Sequence, residues 1–127
     1  MPSETTADTG SVRITELSDE EILAIADPWW DELVKYSNNA NYLKFIKNFS
    51  KAFREAANEM EVGKQFARSE LARNLAERRD YLGIIRRGDY VTVLYRQFSK
   101  KSDGEWLGRL VLGFEDGEPK IFGATLF

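Results

Sequence analysis

The sequence predicts an α+β fold: three N-terminal helical segments packed on a four-stranded antiparallel meander sheet, in a single domain. Three observations carry this reading. Apolar residues recur at helical spacing from Ser18 onward. After Asp80 the period changes to two, and β-branched and aromatic residues become dense. Turn signals, "GD" at 88–89 and "EDGEP" at 115–119, then divide this region into strands. A chain of 127 residues suits one domain, and it is long enough to bury about two thirds of the surface its unfolded form exposes.

Each element follows from local chemistry. Residues 1–17, opening "MPSETTADTGS", are expected to form a disordered polar tail. The tail lacks the charged start and apolar stretch of a secretory signal. It reads equally as a native start or as the remnant of an export linker, so localisation stays open. The domain then runs from 18 to 127. Ser18 and Glu21 make a capping box, and Asp19 and Glu20 suit the positive end of a helix dipole. Ile22, Ile25, Ala26, Trp29, Leu33 and Tyr36 share one face, with Trp30 at its border. Pro28 interrupts this helix and predicts a kink, but the face stays in phase across it. "SNNAN" at 37–41 ends it.

A second helix is expected from about Asn41 to Glu59. Tyr42, Phe45, Ile46, Phe49, Phe53, Ala56, Ala57 and Met60 form its stripe, with Lys44, Lys47, Lys51 and Arg54 opposite. Residues 61–79 have a weaker helical pattern, with Val62 and Phe66 facing away from Leu71 and Leu75. Four strands follow: "YLGIIRR" at 81–87, "VTVLYRQFS" at 91–99, "WLGRLVLGF" at 106–114 and "KIFGATLF" at 120–127. In the third, Trp106, Leu110, Leu112 and Phe114 face the helices, with Gly108 between them. Leu107, Arg109, Val111 and Glu115 form a mixed outer face. Such a face suits packing on a second sheet, which predicts a homodimer through the sheet. Gly83, Gly108, Gly113 and Gly123 are candidates for bends or bulges.

Composition narrows the chemistry. There is no cysteine and no histidine. Disulfides, thiolate nucleophiles, cysteine-based zinc sites and Ser-His-Asp arrangements are therefore excluded. No glycine-rich phosphate loop occurs, and no apolar run reaches the roughly 18 residues of a membrane span. "FEDGE" at 114–118 lacks the spacing of a calcium loop and reads as a turn. No metal or cofactor is expected. The net charge of −3 is unevenly spread. Residues 1–34 carry nine acidic groups against Arg13 alone, whereas residues 35–101 carry fifteen basic and seven acidic groups. The simplest account places the acidic first helix beside basic neighbours.

The stretches "SDEEILAIADPWWDELV", "NNANYLKFIKNFSKAF", "YLGIIRRGDYVTVLYRQF" and "GRLVLGFEDGEPKIFG" together resemble the cystatin-like, cone-shaped α+β superfamily named after nuclear transport factor two. Small prokaryotic domains of unknown function within it are the most similar. The resemblance spans residues 18 to 127 and rests on hydrophobic spacing, so it bears on architecture more than chemistry. It implies a conical pocket between a curved sheet and the first helices. Members include isomerases, dehydratases, ligand binders and dimeric adaptors. The dehydratase type relies on histidine, which this chain lacks. The isomerase type pairs a carboxylate base with a tyrosine or protonated carboxyl donor.

Three site readings follow. Trp29, Trp30, Tyr42, Phe53, Tyr95 and Trp106 are the candidates to line a pocket for a small hydrophobic ligand; the simpler alternative makes them core. Arg86, Arg87 and Arg96, interleaved with tyrosines at the first hairpin, are the candidates for an anionic partner. An acidic chain without a nucleic-acid motif argues against DNA or RNA, and the protein's own first helix would serve as that partner. A proton-transfer enzyme needs a pocket-side carboxylate, yet Asp27, Asp31 and Glu32 fall on or near the outer side of the first helix. The sequence therefore favours a non-enzymatic ligand-binding or interaction domain.

Overall fold

The structure is a computed structural model, and it describes residues 13–56 and 70–127. Three helices, α1 (Asp19–Asn38), α2 (Tyr42–Phe45) and α3 (Lys51–Ala56), pack against a four-stranded antiparallel sheet. Its strands are β1 (Leu75–Arg87), β2 (Tyr90–Ser99), β3 (Trp106–Glu115) and β4 (Glu118–Leu126), in the order β1-β2-β3-β4. The α+β meander read from the sequence is the observed architecture.

Helix α1 begins as its capping box dictates. The Glu21 amide donates to Ser18 Oγ at 3.1 Å, and the Ser18 amide donates to Glu21 Oε1 at 2.9 Å. The helix runs unbroken through Pro28. Its buried ridge is Ile22, Ala26, Trp30, Leu33, Val34 and Ser37. Trp30, expected at the border, is therefore at the centre, and Trp29 is only half-buried. The helix lies antiparallel to β1. Asp19 meets Arg86, Asp31 meets Arg79, and Asn38 meets Leu75.

Two helical expectations are corrected. The single helix from Asn41 to Glu59 is two short helices within the described residues. Between them Phe49 forms a parallel bridge with Ile121. The Ser50 amide donates to the Ile121 carbonyl at 2.8 Å, and the Ile121 amide to the Asn48 carbonyl at 2.7 Å. Pairing with the edge of β4 replaces intrahelical bonds at this point, and Ser50 Oγ then accepts from the Phe53 amide to start α3. Residues 57–69, which include Ala57 and Met60 of the stripe and most of the third helical segment, lie outside the described residues. The remainder of that segment is a 3-10 turn at Leu71–Arg73 followed by strand. Leu75–Arg79 joins β1 because its backbone finds partners in β2 and in the Asn38 side chain.

The expected tail is also shortened. Ile14–Glu16 forms a 3-10 turn, and Ile14 is fully buried at the end of the core. Residues 1–12 lie outside the described residues.

The sheet keeps its register through its turns. Gly88 has φ +63° in the two-residue turn joining Arg87 to Tyr90, and Asp116 (φ 54°) and Gly117 (φ 80°) form the mirror-image turn favoured by Asp-Gly. The inner face carries Val91, Val93, Tyr95, Leu110, Leu112 and Ile121, all buried against α1, Ile14 and Phe49. Alternation in β3 is as the sequence predicts: positions 108, 110 and 112 are buried, and Arg109 is exposed. The β1 ladder is irregular between Leu75 and Arg79 and between Tyr81 and Gly83, and the β3–β4 ladder is irregular beside Gly123. Gly108 and Gly113 serve a different purpose, close approach of rings. A Cβ on Gly108 would lie 2.4 Å from the Trp30 ring, and one on Gly113 2.8 Å from Tyr90.

Candidate functional site

The densest polar cluster lies where α1 crosses the inner face of the sheet. Spacing along α1 presents Asp27, Trp30 and Asp31 within one turn. Alternation along β2 turns Tyr95 and Gln97 inward, and β1 contributes Arg79, paired with Gln97.

Trp30 stacks on Tyr95, with ring centroids 5.2 Å apart and planes at 24°. Its Nε1 donates to Gln97 Oε1 at 2.9 Å. Gln97 is fully buried, and its Nε2 donates to the carbonyls of Ala76 (2.7 Å) and Phe98 (3.0 Å). The amide thus satisfies the indole and the irregular start of β1 together. Tyr95 is also fully buried, and its hydroxyl donates to Asp27 Oδ1 at 2.7 Å. Arg79 grips Asp31 with two bonds of 3.1 Å and reaches Asp27 at 4.0 Å.

These contacts fix the charge states. Burial, the hydrogen bond to Asp27 and the Asp27 charge push the Tyr95 hydroxyl well above the ordinary tyrosine range. Burial disfavours the charge on Arg79, but the hydrogen bond to Asp31 and the charges of Asp31 and Asp27 outweigh it, so its pKa is raised. Tyr95 is a neutral donor facing a carboxylate. A proton-transfer site needs base and donor both turned toward a substrate, and here each is turned toward the other.

Asp27 and Asp31, read as outward-facing, in fact reach the sheet, and Arg79 is on a strand rather than a helix. The spacing of Asp27 three residues before Trp30 was the available signal, but only the position of β2 gives it meaning. The six aromatic candidates do not converge. Trp30 and Tyr95 meet in the core; Phe53 stacks on Phe49 at 4.4 Å; Trp106 covers Gly104 at the β2–β3 loop; Trp29 and Tyr42 are half-buried against the core. Two open grooves of about 650 Å³ and 400 Å³ are lined mainly by charged and amide side chains and by none of the six.

The three arginines also separate. Arg86 turns inward and donates to the carbonyls of Thr15 and Leu17 and to Asp19. Arg96 pairs with Asp80 (3.5 Å) and Glu105 (3.2 Å). Arg87 has no ion pair among the described residues. The acidic first helix is answered from within the chain: Asp19 by Arg86, Asp31 by Arg79, and Glu32 by Lys47 at 3.3 Å. Among the described residues, no cluster of three potential metal ligands occurs, and no helix is long and apolar enough to cross a membrane. No protein-family model matches the chain, and no curated protein matches it.

Proposed function

We propose that this is a non-enzymatic interaction domain that pairs with a second copy of itself through the outer face of its sheet. The arrangement accords with the resemblance to the superfamily of nuclear transport factor two, whose members include dimeric adaptors. One observation carries the reading. The outer face presents Ile85, Tyr90 and Phe127 at 43%, 43% and 63% exposure, and no described element covers them. The cross-strand row Ile85, Thr92, Val111 and Gly123 and the Tyr90–Phe122 ring pair make an apolar band across this face, flanked by Arg87, Arg96 and Arg109. The alternative of a hydrophobic ligand pocket loses support because its candidate rings are spent on one another, on glycines and on the core.

Sedimentation at roughly 50 µM tests the proposal, since a micromolar dissociation constant leaves most chains paired there. The expected result is a dimer that Ile85→Lys or Tyr90→Ser converts to a folded monomer. A clean monomer of the unaltered chain would sink it.

A further inference from the structure

The larger groove, of about 650 Å³, runs between α1 and the free edge of β1, a size in the range of sites for small ligands. Its two ends are closed by the protein. At one end the Asn38 side chain pairs with the backbone of Leu75 as a neighbouring strand would: Nδ2 donates to the Leu75 carbonyl at 2.9 Å, and Oδ1 accepts from the Leu75 amide at 2.8 Å. At the other end Arg79 grips Asp31. The span from Leu75 to Arg79 is about 13 Å in extended chain, room for about three residues.

Between those ends the strand is set off its own ladder. Leu75 pairs with Ser99 and Arg79 with Gln97, so three β1 residues, Ala76–Arg78, stand opposite Phe98 alone. The Ala76 carbonyl is taken by Gln97. The Leu75 N–H and C=O point away from β2 to Asn38, and strand alternation turns those of Glu77, which lines the groove, toward the same edge. Val34 adds an apolar spot to the lining. The charged side chains are of both signs. Glu77, Lys35 and Lys100 all line the groove, and none has an ion pair among the described residues.

We propose that this slot binds a short peptide with free ends, laid in extended form along the β1 edge at Glu77. Its backbone extends the sheet at the β1 edge, continuing the strand-like pairing that Asn38 makes with Leu75. Its carboxylate is held by Lys35 and Lys100, and its ammonium by Glu77. The inference is independent of the dimer, which uses the opposite face of the sheet.

Amide NMR titration of the whole chain with trialanine and with triserine tests it. Saturable shifts are expected at Glu77–Arg79, in α1 from Asp31 to Asn38, and at Asn39. Acetylating the amino end or amidating the carboxyl end is expected to weaken binding about tenfold each, the scale of one lost charged contact. Glu77→Gln is expected to reduce affinity for the free peptide but not for its acetylated form, and Lys100→Met to reduce affinity for the free peptide but not for its amidated form. Both side chains are at the surface, so folding is retained. Absence of shifts at these amides at about 10 mM peptide overturns the proposal. So does equal binding of the doubly blocked peptide, or of free alanine.

Discussion

Gly108→Ala is the sharpest test of how the core is built. The added Cβ would sit 2.4 Å from Trp30 Cζ2 and 2.6 Å from Cη2, where carbon atoms normally rest at about 3.5–4.0 Å. The indole must therefore retreat by about 1 Å. It has no slack. Its other surroundings are the Tyr95 ring, stacked at 5.2 Å, and Gln97, bonded at 2.9 Å. Overpacking of this kind costs about 1–3 kcal/mol. If the indole bond to buried Gln97 breaks, the orphaned acceptor adds about 1–3 kcal/mol. The expected loss is about 1–3 kcal/mol with the bond kept and about 2–6 kcal/mol with it broken, against a total stability of about 5–15 kcal/mol for a domain of this kind. Urea unfolding followed by tryptophan fluorescence reads the loss, and near-ultraviolet circular dichroism reads the displaced ring. Gly83→Ala is the control: its Cβ meets nothing within 4 Å, so its effect is expected to stay within about 0.5 kcal/mol. A Gly108→Ala protein as stable as that control would refute the packing argument.

Three further outcomes are expected. Tyr95→Phe removes the donor to Asp27 and should cost about 1–2 kcal/mol at neutral pH. Because the folded-state pKa of Tyr95 is raised, the unfolded chain loses this proton first. Stability from this group is therefore complete below pH ~10 and falls above it, by at most about 1.4 kcal/mol per pH unit; Tyr95→Phe should make the alkaline decline measurably shallower in denaturant titrations at pH 9 to 11. Arg86→Gln shortens the group that holds the Thr15 and Leu17 carbonyls and Asp19. Amide hydrogen exchange at residues 14–18 should quicken while β2 and β3 keep their protection, and unchanged exchange would show that buried Ile14 anchors the turn alone. Gly117→Ala places a side chain at φ +80° and should cost about 1 kcal/mol in thermal unfolding, with no change in quaternary state.

Much of the fold was legible because its signals are local. Ser18 and Glu21 lie one turn apart, and each satisfies the other's backbone whatever surrounds them. The turns at Gly88-Asp89 and Asp116-Gly117 need only their own positive φ values. The misreadings share one cause. Residues 41–60 have a helical stripe, yet Asn48 and Ser50 bond to Ile121, more than seventy positions away, and the stripe is broken there. Leu75–Arg79 has a helical pattern as well, but the ladder with β2 and the Asn38 amide make it strand. The candidate site was hidden for the same reason. Asp27 and Asp31 flank the apolar face of α1, and nothing local distinguishes a solvated carboxylate from one that meets Tyr95 or Arg79.

By itself, the sequence determined the order of elements, the alternation that divides the sheet into an inner and an outer face, and the exclusion of cysteine and histidine chemistry. Hydrophobic period, caps and turns act over a few residues, and composition acts over none. Only the tertiary structure decided that Trp30 rather than Trp29 enters the core, that Tyr95 spends its hydroxyl on Asp27, and that the arginines of β1 neutralise the acids of α1. Those outcomes depend on the rotation and placement of one helix over the sheet. That placement is fixed by contacts between residues 48 to 68 positions apart, which no local pattern encodes.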